Sequence, residues 1–381
     1  MSEVRVSPDV LGWARERAGL GFDDLQGRFP KLADWEAEVT QPTLKQLENF
    51  ARATRVPFGF LFLPEPPEMR LPFADFRTVE SRRPQGISLE LIDTIHIMRR
   101  RQTWLREERM EAEAAPVSLV GAARLSDDPE ATGREMRRAV GLNEGWPRRV
   151  PTWTAAVGEL RNAVEALGVM AVVNGIVGNN TSRKLDVDEF RGFALSDPYA
   201  PLIFVNGADA KSAQIFTLAH LWLGDPGEGL SGFRGVQPEG GGVEGFCDRA
   251  AAEFLVPAAE IRTAWRDVAE ADAPFERLAR RFKVSPVAVG RRAMDLGLVE
   301  RDAFFSFYHE YIQRERRQGL TGTGGGDFYN NQNTRVGRLL ASHVIRAAKE
   351  GRIGFKEAYD LTGLSGGTFQ GYARKLGIAV S

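Results

Sequence analysis

Residues 215–224 read Ile215-Phe216-Thr217-Leu218-Ala219-His220-Leu221-Trp222-Leu223-Gly224. The run is apolar almost throughout and carries a single imidazole. A helix is predicted over Ala208 to Leu223, after a break at Asn206-Gly207. Upstream, Trp153 to Leu167 has helical spacing and Val169 to Val173 reads as a buried strand. Phe190 to Leu195 and Pro201 to Val205 read as a strand pair around Ser196-Asp197-Pro198. A strand pair that delivers the chain to a histidine-bearing helix makes residues 150–265 a mixed α/β core. With helical segments on both sides, the fold class is α+β, mostly helical and multidomain.

A second segment belongs with the first. Glu244-Gly245-Phe246-Cys247-Asp248-Arg249-Ala250-Ala251-Ala252-Glu253-Phe254-Leu255-Val256-Pro257 reads as an Ala-rich helix stopped by proline. By themselves, His220 is a satisfied core histidine and Cys247 a small buried residue. Together and in this order, the two segments resemble the paired motifs of the ImmA/IrrE family of zinc metallopeptidases. The first motif of that family runs F-T-L-A-H-E-L-x-H-L; the second has an acidic residue, then Asn or Asp four positions on, then F-A-A-E-L-L-x-P. The resemblance implies a minimal zincin-like fold, a Zn²⁺ cofactor, and limited proteolysis of a transcriptional repressor or antitoxin. It makes His220 and Glu244 metal ligands and Asp248 the carboxylate that orients a ligand imidazole.

The chain departs from that pattern at its centre. H-E-x-x-H places two imidazoles on one helix face with a glutamate as general base, and here four residues of it are absent. Losing four residues removes about 1.1 helical turns, so downstream side chains rotate by only about 40° and slide about 6 Å. The fold survives such a loss; the chemistry does not. His220 and Glu244 are two ligands where a catalytic zinc uses three, so zinc is expected to be absent or weakly held and no catalytic residue set is intact.

Residues 1–67 read as a small helical domain, with apolar residues at helical spacing in Val10-Leu11-Trp13-Ala14 and Leu44-Leu47-Phe50-Ala51. Trp35-Glu36, Pro42 to Leu47 and Val56-Pro57 resemble an Xre-type helix-turn-helix domain. Pro30 interrupts its centre, and eight Lys/Arg stand against ten Asp/Glu over 1–67. DNA affinity rests largely on phosphate contacts, so a packing or dimerising role, in a homodimer, is preferred there over DNA. Residues 68–149 form a connecting helical region in which Met98 to Met110 is expected to be solvated. Residues 266–321 read as a helix-turn-helix-like unit, with Ser285 as N-cap, Pro286 at the first helical position, and Ser285, Arg291 and Arg292 as candidate DNA contacts at and on the second helix. ImmA/IrrE relatives carry such a unit after the peptidase part. A substrate-docking or packing unit with a basic face is the other reading. A glycine-rich link at 322–326 precedes a basic C-terminal helical unit, residues 322–381, whose Gly363 to Thr368 joins two packed helices.

The 381 residues carry a net charge of −1, which excludes a whole-chain polyanion binder. A single cysteine, a start without a basic-then-apolar run, and the lack of a membrane-length apolar stretch lead to an expected cytoplasmic location and no membrane partner. Two function classes remain: a regulatory ImmA/IrrE-like endopeptidase, inactive in this chain, and a DNA-binding transcriptional regulator or toxin–antitoxin component that uses the peptidase-like part as sensor or scaffold.

Overall fold

A computed structural model describes residues 3–67, 88–124, 126–222, 243–318 and 328–378. It is α+β and mostly helical, 59% helix with 18 α-helices among the described residues. The chain divides into two units, Met1–Asp93 and Thr94–Ser381.

The smaller unit holds α1 (Pro8–Arg17), α2 (Phe22–Gln26), α3 (Leu32–Glu36), α4 (Leu44–Thr54) and a 3₁₀ turn, Phe58–Phe62. Thr43 starts α4 as a capping box with Gln46, the hydroxyl accepting from the Gln46 N–H while the Gln46 side chain accepts from the Thr43 N–H. Phe50 meets Phe29 and Trp35 edge to face at its centre, with the three ring centroids 5.5–6.5 Å apart. Helix α3 has only five residues; it buries Leu32 and Trp35 and is tied by Glu36 to the Arg15 guanidinium at 3.0 and 3.2 Å.

Helix α5 (Leu89–Glu111) leads into the larger unit. Then come α6 (Pro129–Ala139), α7 (Trp146–Arg149), α8 (Trp153–Ala166), β1 (Met170–Asn174), the hairpin β2 (Ile176–Val177) and β3 (Asn180–Lys184), β4 (Gly192–Leu195) and β5 (Leu202–Asn206). After the strands follow α9 (Lys211–Trp222), α10 (Val243–Leu255), α11 (Ala258–Arg266), α12 (Pro274–Phe282), α13 (Pro286–Asp295) and α14 (Arg301–Gln318). Helices α15 (Phe328–Arg335), α16 (Arg338–Lys349), α17 (Phe355–Thr362) and α18 (Gly366–Lys375) complete it.

The three-stranded sheet has the order β1-β5-β4, with β5 parallel to β1 and antiparallel to β4. Every residue of β1 and β5 is buried, because both faces are covered. Ala171, Val173, Ile203 and Val205 face a core built with α6, α8, α9, α10, α11, α12 and α13. Phe190, Phe193 and Phe204 stack together, centroids 5.0–6.2 Å apart. The strand pair of the sequence reading is present. The hairpin β2–β3 is additional; its second strand, Asn180-Thr181-Ser182-Arg183-Lys184, is polar and largely exposed and has no apolar alternation to announce it.

Two sequence expectations change. The helix around Arg99-Arg100-Arg101 is not simply solvated: Ile95, Met98 and Leu105 are buried, and Arg101 is buried with them, its Nε donating to the Leu361 carbonyl and its Nη1 to the Arg335 carbonyl, both at 2.9 Å. The hydrophobic core also runs from Met136 through Ala293 without a break at 149/150 or 265/266, so α6 and α12–α13 share the core of the α/β part.

Helices α6 and α10 touch at Gly133, where an added Cβ would lie 2.4 Å from the Ala250 carbonyl oxygen. No side-chain movement relieves a backbone clash. Gly133→Ala is expected to cost about 1–3 kcal/mol, measured as a lowered urea midpoint of the full chain; an unchanged midpoint would show that the two helices can part freely.

Candidate functional site

The end of the sheet sets where α9 begins. Asn206 is fully buried, and its Nδ2 donates to the carbonyls of Asp186 and Phe190, both at 3.1 Å. Asn174 on the neighbouring strand donates to the Gly178 carbonyl at 2.8 Å. Gln214, in the first turn of α9, is also fully buried and donates to the carbonyls of Gly207 and Asp209 at 3.0 and 2.7 Å. These amides satisfy loop carbonyls that burial would otherwise leave unpaired. They fix the helix that carries His220.

His220 lies in the last turn of α9 and is 7% exposed. Its Nδ1–H donates to Asp248 Oδ1 on α10 at 3.0 Å. Phe216, one turn earlier on the same helix, lies against the ring, with centroids 6.2 Å apart. Asp248 is half exposed, so the pair sits at the edge of the core rather than deep within it. A carboxylate on Nδ1 fixes the tautomer and the ring orientation. Asp248 and His220 thus join α10 to the end of α9. Cys247, its neighbour, is buried at 1% exposure within the apolar core.

Glu244 lies in the first turn of α10, but its side chain falls outside the described residues, as do residues 223–242. Among the described residues, no three His, Cys, Asp or Glu side chains converge as a metal would need. Among the described residues, His220 supplies one imidazole, and Asp248 is hydrogen-bonded to it. The described donors do not make up the three protein ligands of a catalytic zinc.

The expected DNA contacts on α13 are placed differently from the sequence reading. Ser285 is the N-cap, its hydroxyl accepting from the Ala288 N–H at 3.1 Å. Arg291 is partly exposed and engages Asp295 one turn on at 3.2 Å. Arg292 points inward and is 4% exposed. Its guanidinium meets Glu253 of α10, lies 3.2 Å from Glu130 of α6, and donates through Nε to the Val256 carbonyl at 3.3 Å. Held that way, Arg292 ties three helices together and does not face solvent as the sequence reading expects.

A neighbouring buried pair was also missed. Arg137 of α6 donates to Glu260 Oε1 of α11 and to the Phe254 carbonyl, both at 2.7 Å. The signal for Arg292 was present in the sequence: it lies three residues after Val289 and next to Ala293, both fully buried, on the inner stripe of its helix.

No helix among the described residues is long and apolar enough to cross a membrane. No curated protein and no solved structure matches the chain. Residues 336–375 match a family model described only as a domain of unknown function. Residues 166–294, which run from the end of α8 to the end of α13 and include His220 and Asp248, match the model described as IrrE N-terminal-like domain, a zinc-dependent peptidase type, and this supports placing that part of the chain with the ImmA/IrrE family.

Proposed function

We propose that this chain is an ImmA/IrrE-like regulator that keeps the peptidase fold and binds a transcriptional repressor or antitoxin without hydrolysing it. One observation carries the reading. On α9 the imidazole of His220 is followed directly by Leu221 and Trp222, so the helix offers one ring and no glutamate where water activation needs two rings and a general base. The α/β core does not depend on the missing turn.

The full chain, incubated with zinc and with the repressor encoded beside it, is expected to hold well under one equivalent of zinc after dialysis and to yield no cleavage product. A variant with Glu-Leu-Ala-His inserted between His220 and Leu221 restores the family pattern and is expected to retain about one zinc. Metal-dependent cleavage by the unaltered chain would overturn the reading. The rival, in which α12–α13 contacts DNA through both arginines, is disfavoured by the inward path of Arg292.

A further inference from the structure

We propose that α17, the three-residue turn Gly363-Leu364-Ser365 and α18 form a helix-turn-helix that lays α18 against double-stranded DNA. This is independent of whether His220 binds metal. Helix α17 ends on Gly363, whose φ of +68° lies in the left-handed region and whose N–H caps the helix at the Tyr359 carbonyl, 2.7 Å away. Leu364 is buried, and Ser365 starts α18, its N–H donating to Thr368 Oγ1 at 3.3 Å. Two helices joined by a short turn containing glycine are the form that presents its second helix to a major groove.

The two faces of α18 are sharply divided. Phe369, Tyr372 and Ala373 are fully buried, and the Tyr372 hydroxyl donates to Asn333 Oδ1 of α15 at 2.9 Å. Thr368, Gln370, Arg374 and Lys375 are exposed. At ten residues the helix is about 15 Å long, enough to cross one groove. Gly367 stands in its first turn with nothing within 4 Å of where a Cβ would be. Glycine there costs about 1 kcal/mol against alanine and relieves no clash inside the chain. It does let an outside surface approach the backbone.

Charge complements the partner. Residues 336–375 carry seven Lys/Arg against three Asp/Glu. Of those acids, Glu350 is held by Arg352, one of the seven bases and also paired with Glu108, and Asp360 by Arg100 at 3.4 Å. A second element reaches the same turn. Asn179, at the tip of the β2–β3 hairpin, donates to the Gly363 carbonyl at 2.8 Å, and the polar strand β3 runs from that tip. Neither the hairpin nor α18 takes part in the His220 site.

The test uses the full chain and a fluorescent random-sequence duplex of about 20 base pairs, two helical turns. Binding is expected at low salt. Three phosphate contacts, from Lys356, Arg374 and Lys375, correspond to roughly a 40-fold loss of affinity between about 50 and 200 mM salt. Arg374→Glu and Thr368→Glu should each weaken binding about tenfold or more. Thr368→Glu is safe for the fold, because glutamate three residues after a serine N-cap completes a capping box. Arg291→Glu on α13 should leave binding unchanged. No binding by the parent chain at low salt would overturn the proposal. So would full binding by Thr368→Glu with an unchanged melting temperature, or equal competition by polyglutamate, which would mark a general acceptor of negative charge.

Discussion

Arg292→Ala is expected to destabilise the larger unit by about 3–5 kcal/mol, the largest effect of any single change considered. Glu253, its partner on α10, is 2% exposed. Removing the guanidinium leaves that carboxylate with Arg134, itself about half exposed and 3.5 Å away, and with the Ala258 N–H at 3.0 Å. Neither neutralises a buried charge as Arg292 does. The Val256 carbonyl and Glu130 lose a donor in the same step.

Arg291→Ala, one residue earlier, breaks only the partly exposed contact with Asp295 and should stay within about 0.5 kcal/mol. Urea unfolding of both variants gives the comparison. Arg292→Met together with Glu253→Met should recover part of the loss, since a buried pair replaced by apolar side chains is often neutral. A cost below about 1 kcal/mol for Arg292→Ala would mean that α13 is not anchored as described.

The second large effect is a dependence on pH. Glu165, on α8, is 7% exposed, and its carboxylate accepts from the Arg338 and Leu339 N–H groups at the start of α16, at 3.3 and 3.4 Å. Burial pushes its pKa from an ordinary 4.5 up to about 7, against the opposing pull of Arg161 and those two amides. The folded state therefore holds a proton that the unfolded chain releases near 4.5. The stability from this group is fully present below that value and is lost as pH rises through about 7. The swing is on the order of 3 kcal/mol. Glu165→Gln should remove it: the variant should lose less stability than the parent between about pH 5 and 8. Parallel stability curves for the two proteins over that range would show that Glu165 titrates at its ordinary value.

The α/β core was legible because burial writes itself as apolar runs. Val169 to Val173 and Pro201 to Val205 had no polar residue to confuse the reading, and β1 and β5 lie there. His220 and Asp248 were legible as a pair only through the resemblance, since nothing local says that positions 28 residues apart in sequence will meet at 3.0 Å. The arginines were the failures. Arg101 and Arg292 read as solvent-facing charge, yet each is buried with carbonyls or carboxylates as partners, as is Arg161. Hydropathy scores a side chain by its own chemistry and cannot register the acceptor that waits for it. The β2–β3 hairpin was invisible for the opposite reason: it buries little, so it needs no pattern.

Those buried arginines change how shortened versions of the gene should be interpreted. Arg101 spends its guanidinium on the carbonyls of Arg335 and Leu361, and Arg161 donates to that of Asn333. A stop codon in the glycine-rich segment would delete all three acceptors and uncover the surface of α5 and α8 that α15–α18 bury, leaving Arg161 with Glu165 and Asn162 but Arg101 without its carbonyls. A nonsense allele at that point would then score as inactive through misfolding, and deletion mapping would credit the last fifty or so residues with whatever activity the collapsed remainder had lost.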